Sequence, residues 1–134
     1  MRYLDDNMFD LYLIEDAMFC GKYEMPIIEN TVKTPPKDIV PFEKRKKIKN
    51  KNEAYLHFYM NDKILKSYLK NPKKYLKEIQ EFAGIISLDL SLYIDLPLSE
   101  QIHHSFTNKA HACFFQNNGI NVIPNVRWGD GTAD

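Results

Sequence analysis

The sequence is poor in the features that announce a covalent, membrane or cofactor chemistry. Its two cysteines, Cys20 and Cys113, supply neither a disulfide framework nor a zinc-finger spacing. It has no run of about 18 apolar residues, which excludes a transmembrane helix of the usual length and leaves no expected membrane partner. The first residues are acidic and lack the pattern of a secretory signal, so the chain is expected in the cytoplasm. A phosphate loop, a Gly-x-Gly-x-x-Gly turn and known metal-ligand spacings are all missing, so no cofactor and no metal are expected. Ser87 and Ser91 lack the glycine-flanked turn of a hydrolase elbow. No repeat is visible, and 134 residues suit a single domain with its own core.

Net charge is also lacking, but only in total. Residues 1–32 hold two basic and seven acidic side chains, a balance of −5. Residues 33–77 hold fourteen basic and four acidic ones, a balance of +10, and residues 78–134 return to −5. Such asymmetry says more about partners than the sum does. We divide the chain into an acidic segment (1–32), a basic Pro/Lys-rich loop (33–53) and a core (54–130).

The core is organised around Gly84 to Asp130. Ile85-Ile-Ser-Leu88 is a short apolar run of buried-strand length. Pro97 fits the first turn of a helix. Leu98, Ile102, Phe106, Ala110, Cys113 and Phe114 then recur at helical spacing, and Asn118-Gly119 supplies a stop. Ile120 to Val126 reads as a second strand, with Pro124 marking an edge or the end of pairing. Upstream, Ala54 to Met60 is an aromatic-rich strand. Its alternation puts Tyr55, His57 and Tyr59 on one side and Leu56, Phe58 and Met60 on the other. Asn61 caps a helix through Leu69; Asn71-Pro72 restarts it, with Asn71 as cap, and Gly84 closes it. Met8 to Phe19 reads as a helix, Glu24 to Ile28 as the start of a strand and Asn30 to Pro41 as loop. The pattern defines an α/β fold: a small, mostly parallel sheet of three or four strands with packed helices and a βαβαβ core.

Several segments together resemble a known family. Glu24-Met-Pro-Ile-Ile, Leu56-His-Phe-Tyr, Asn71-Pro-Lys-Lys-Tyr-Leu, Phe82-Ala-Gly-Ile-Ile-Ser, Asp89-Leu-Ser-Leu-Tyr-Ile-Asp-Leu-Pro and Asn118-Gly-Ile-Asn-Val-Ile-Pro-Asn-Val-Arg-Trp-Gly-Asp occur in order. They are similar to the domain-of-unknown-function family numbered 4417, found in bacteria, phages and mobile elements. The likeness runs over about residues 12 to 130 and implies a shortened member, since family chains continue past the Arg-Trp-Gly-Asp segment. Leu88, Ile94, Thr107 and Lys109 stand where the family commonly has a proline and three arginines. A member that has lost basic residues is suited to binding rather than to a family activity.

Two kinds of site follow. Parallel strands gather Asp89, Asp95, Arg127 and Asp130 at their carboxyl ends, where open α/β sheets hold ligands. These are the candidate catalytic residues; the competing reading is an Asp89–Arg127 pair that ties strand ends together. The candidate partner-binding residues are Lys44, Arg45, Lys46, Lys47, Lys49 and Lys51, with His104, His111 and Phe115. The first six form a basic cluster without interleaved aromatics, read either as solvated loop or as a patch for nucleic acid or an acidic partner. At 100° per residue, His104 and His111 fall opposite the apolar centre of their helix and are expected to face solvent. Phe115 falls beside them, as a contact surface or covered by the N-terminal segment.

The expected function is therefore that of a phage or mobile-element accessory protein that acts by binding a protein or nucleoprotein complex. The family setting suggests an anti-defence inhibitor of a nucleic-acid-handling host system such as a CRISPR-Cas effector. An exposed sheet edge would also permit a homodimer. The alternative is a phosphate-ester or nucleotide-handling enzyme using the Asp/Arg edge.

Overall fold

A computed structural model describes residues 11–15, 17–29, 36–87 and 96–124. Four parallel strands form the main sheet in the order β3 (Asp38–Pro41), β4 (Ala54–His57), β5 (Gly84–Ile86) and β6 (Val122–Ile123). The expected α/β fold with a small parallel sheet is what the chain adopts. A separate antiparallel pair, β1 (Phe19–Cys20) and β2 (Met25–Pro26), lies upstream.

The sheet is held by one row of side chains. Register aligns Val40 with Leu56, Leu56 with Ile85, and Ile85 with Val122, so the row crosses all four strands. All four are buried, and Leu56, Ile85 and Val122 are fully so. Leu65 of α1 (Asp62–Leu69), Ile79 of α2 (Leu76–Gln80), and Ala112 and Phe115 of α3 (Leu98–Asn117) join the row in a single core cluster. Burying each such aliphatic side chain stabilises the fold by about 1.5–3 kcal/mol.

Local signals explain most boundaries. The Asn61 side chain accepts the Lys63 N–H at 2.8 Å and caps α1. Gly119, at φ +81°, takes the left-handed conformation that ends α3, and Ile120 N–H returns to the Phe115 carbonyl. Pro124 follows directly on β6, an edge strand, where no ladder donor is needed.

Four expectations need correction. The chain forms a 3-10 turn at Leu11–Ile14 and a strand at Phe19–Cys20 where one helix was expected; Met8 lies outside the described residues. The strand exists because Gly21 (φ +78°) and Glu24 (φ +53°) fold it back onto Met25–Pro26. The end of the expected loop is β3, because Ile39 and Val40 find a partner in β4 and Pro41 sits last in an edge strand. Asn71 makes no side-chain cap; its backbone carbonyl accepts from Lys74 instead. Gly84 is the first residue of β5 and not a helix stop. The ring of Tyr55, its register partner, packs over it, and the carbonyl of Asn121 closes the other side.

A methyl group at position 84 would fall inside van der Waals contact of both the Tyr55 ring and the Asn121 carbonyl. The carbonyl cannot swing away, because it accepts the Ile85 N–H at 2.9 Å. Gly84→Ala is therefore expected to lower the unfolding free energy by about 2 kcal/mol, read from denaturant midpoints. An unchanged midpoint would show that the Tyr55–Gly84 contact is loose.

Candidate functional site: a lysine-coated lobe

The basic third of the sequence is not a loose loop. Residues 42–47 form a 3-10 helix, and a helix with three residues per turn stacks every third side chain on one line. Phe42 and Arg45 form that line and face inward: Phe42 is buried and Arg45 half-buried, as is Ile48 just past the helix. Phe42 stacks on Phe58 at 4.9 Å and meets Tyr68 of α1 and Tyr75 edge-on at 5.0 and 5.4 Å. Tyr68 and Tyr75 close the ring cluster at 5.5 Å.

Arg45 seals this cluster. Its guanidinium lies 4.2 Å from the Phe42 ring centre and 5.2 Å from that of Tyr75. Its Nε donates to the Glu78 carboxylate of α2 at 2.8 Å, and an Nη donates to the Phe42 carbonyl at 3.2 Å. The Arg45 side chain is only 11% exposed. Of the six basic candidates, Arg45 is thus spent on the fold. Lys51, at 3.1 Å from Glu81, is engaged in a more open pair.

The remaining candidates point outward. Lys44, Lys46, Lys47 and Lys49 are exposed, and none has an ion pair among the described residues. The same inward clamp draws α1, the 3-10 turn Pro72–Tyr75 and α2 into one unit with residues 42–47. That unit adds exposed lysines that the notion of a short cluster misses: Lys63, Lys66, Lys70, Lys73, Lys74 and Lys77. Lys73 lies 4.1 Å from the Tyr12 ring centre, joining the lobe to the N-terminal segment. The +10 balance over residues 33–77 is the sequence signal that contains all of them.

The histidine candidates are elsewhere and inside. His104 and His111 are buried, as is Phe115 at 3% exposure, so the expected solvent-facing stripe is not there. The most deeply buried side of α3 carries Gln101, His104, Ser105, Asn108, Ala112 and Phe115. The side expected to face the core is covered by the N-terminal segment. Tyr12 meets Phe114 edge-on at 5.6 Å, the Asn117 amide donates to the Glu15 carbonyl at 3.1 Å, and Gln116 bonds the backbone of Glu29. With the helix covered on both sides, its exposed side chains are others, such as Ser99, Glu100 and His103. Cys113 is buried as expected of a small core residue, and burial pushes its thiol pKa up.

The Asp/Arg candidates, Asp89, Asp95, Arg127 and Asp130, lie outside the described residues, as does Trp128. At the carboxyl ends of the two central strands the described polar side chains are His57, half-buried at the end of β4, and Ser87, buried after β5. The Nδ1 atom of His57 accepts the Tyr59 N–H at 3.2 Å, which leaves the ring proton on Nε2. Burial lowers the pKa of His57, favouring that neutral form. Among the described residues no group of three or more His, Cys, Asp or Glu side chains is arranged to hold a metal ion. No described helix is long and apolar enough to cross a membrane.

A small parallel α/β fold bearing a lysine-coated lobe is thus what the geometry defines. The chain belongs to the family described as Domain of unknown function (DUF4417), whose model matches residues 17–133. It is also similar to the Gene 1 protein of Mycobacterium phage D29, with 25% identity over 73 residues. That match takes in 54% of this chain and 27% of the phage protein, so the chain is matched to about a quarter of that relative's length. No solved structure matches the chain.

Arg45→Ala removes the stacked cation and leaves the Glu78 carboxylate without its partner. It is expected to cost about 2 kcal/mol of stability, seen as a lower melting temperature. Arg45→Lys is expected to recover little, because an ammonium lacks the planar group whose Nε bonds Glu78 and whose Nη bonds the Phe42 carbonyl at the same time. Full recovery by lysine would mean that charge alone, and not the guanidinium geometry, holds the lobe.

Proposed function

We propose that this protein works by binding, and that its lysine-coated lobe meets a polyanionic partner: nucleic acid or a nucleoprotein complex. The observation that carries this reading is the uncompensated charge of the lobe. Glu78 and Glu81 are engaged by Arg45 and Lys51. The outward lysines on residues 44–49 and on α1 have no ion pair among the described residues. Holding so many like charges on one packed unit costs self-repulsion, which a polyanion relieves on binding.

The phage relative supports a setting in phages, and there we place the protein in the host cytoplasm. In its narrower form the proposal is an accessory protein that inhibits a nucleic-acid-handling host defence, such as a CRISPR-Cas effector. That form rests on the setting, whereas the polyanion contact rests on the lobe.

The test is purification of the tagged protein from its host, beside a Lys44→Glu/Lys46→Glu/Lys47→Glu variant, with and without nuclease. The native protein is expected to retain a nucleic acid or nucleoprotein partner that the variant loses, while both unfold at the same temperature within a few degrees. Identical partners on both proteins would contradict the reading.

A further inference from the structure

We infer that the lobe grips the phosphate backbones of double-stranded nucleic acid and does so without reading sequence. This rests on the polyanion reading above and narrows it to one class of ligand. Three observations carry it.

The first is that, among the described residues, no run of exposed aromatic rings lies along the lobe; Tyr59, just before α1, is the one exposed ring at its margin. Proteins that hold single strands lay bases on exposed aromatic rings. Among the described residues, the large exposed aromatic side chains are Phe19, in the β1–β2 hairpin, and Tyr59, stacked on His57 at 4.8 Å beyond β4. The lobe's own rings, Phe42, Tyr68 and Tyr75, turn toward one another and are capped by Arg45.

The second is the loss of base-reading groups. Arginine forks make the commonest specific contact with guanine. Arg45, the lobe's arginine, is tied to Glu78 and buried against Phe42. Three other polar side chains of the lobe also make local bonds. Asn61 caps α1, the Ser67 hydroxyl donates to the Ile64 carbonyl at 2.6 Å, and the Gln80 amide donates to the Asn118 carbonyl.

The third is composition. The outward groups are lysines, which bind phosphate as point charges. Protein interfaces favour arginine and aromatic anchors and are depleted in lysine. The lobe's exposed large apolar side chain is Ile64 alone among the described residues. A duplex carries one charge per about 1.7 Å of axis, the denser target for such a surface.

Fluorescence anisotropy with the full chain decides this. The probes are two DNA duplexes of unrelated sequence, an RNA duplex and the matching single strands, each about 20 nucleotides long, at about 50 to 200 mM salt. The two DNA duplexes are expected to bind within about twofold of each other, and at least one duplex type about tenfold or more tighter than its single strands. Lys44→Ala/Lys46→Ala/Lys47→Ala is expected to reduce the salt slope of log K by about 2 to 3, with its melting temperature unchanged. Tighter binding of single strands, or a preference above about tenfold between the DNA duplexes, overturns the inference. Absence of binding to every probe overturns it as well. If the host partner of the preceding test is then a nucleoprotein complex that survives nuclease but is lost on charge reversal, the duplex inference falls and the polyanion reading stands.

Discussion

Phe42 is the side chain on which the basic half of this protein depends. It closes β3, stacks on Phe58 beyond β4, and receives Tyr68 from α1 and Tyr75 from the turn before α2. Two strands and two helical segments therefore meet on one ring. Arg45, one 3-10 turn later, lies over the same ring and reaches Glu78 on α2. Three-residue periodicity makes this possible, since it brings positions 42 and 45 onto one line and sends the lysines between and after them outward. A segment with this much charge would otherwise remain extended in water. The clamp turns it into a fixed surface, so the charge of the lobe is held in place by an apolar and aromatic interior.

Much of the fold was legible because its signals are local. The apolar run at Ile85, Pro97 before α3, Gly119 after it and Asn61 before α1 each act through the backbone of their own neighbourhood. β3 was not legible for the opposite reason. Its four residues become a strand only by pairing with β4, a contact that periodicity in so short a segment does not report. Gly84 was read as a stop when its small size serves a packing contact with Tyr55, which lies 29 positions away in sequence.

The candidate sites divide along the same line. The basic run was visible from charge alone, but its organisation was not. The run contains one arginine and several lysines that look equivalent in sequence, yet Arg45 is a structural cation and the lysines are surface. Only the spacing of Phe42 and Arg45, three apart, hinted at that division. The orientation of α3 was read from its more apolar side, which assumed one covered face. The N-terminal segment covers a second face, and His104, His111 and Phe115 are enclosed. Periodicity locates a stripe; it does not say how many layers a helix lies between.

The account turns on which lysines meet the partner, and amine-reactive labelling read by mass spectrometry measures this directly. Labelling the full chain with and without duplex DNA should protect Lys44, Lys46 and Lys47 together with lysines of α1, such as Lys66, by several-fold. Lys22 and Lys109, which lie outside the lobe, should label equally in both states. Protection of Lys22 or Lys109 with the lobe left reactive would contradict the account, because the charge that the Phe42–Arg45 clamp displays would then not be the surface that binds.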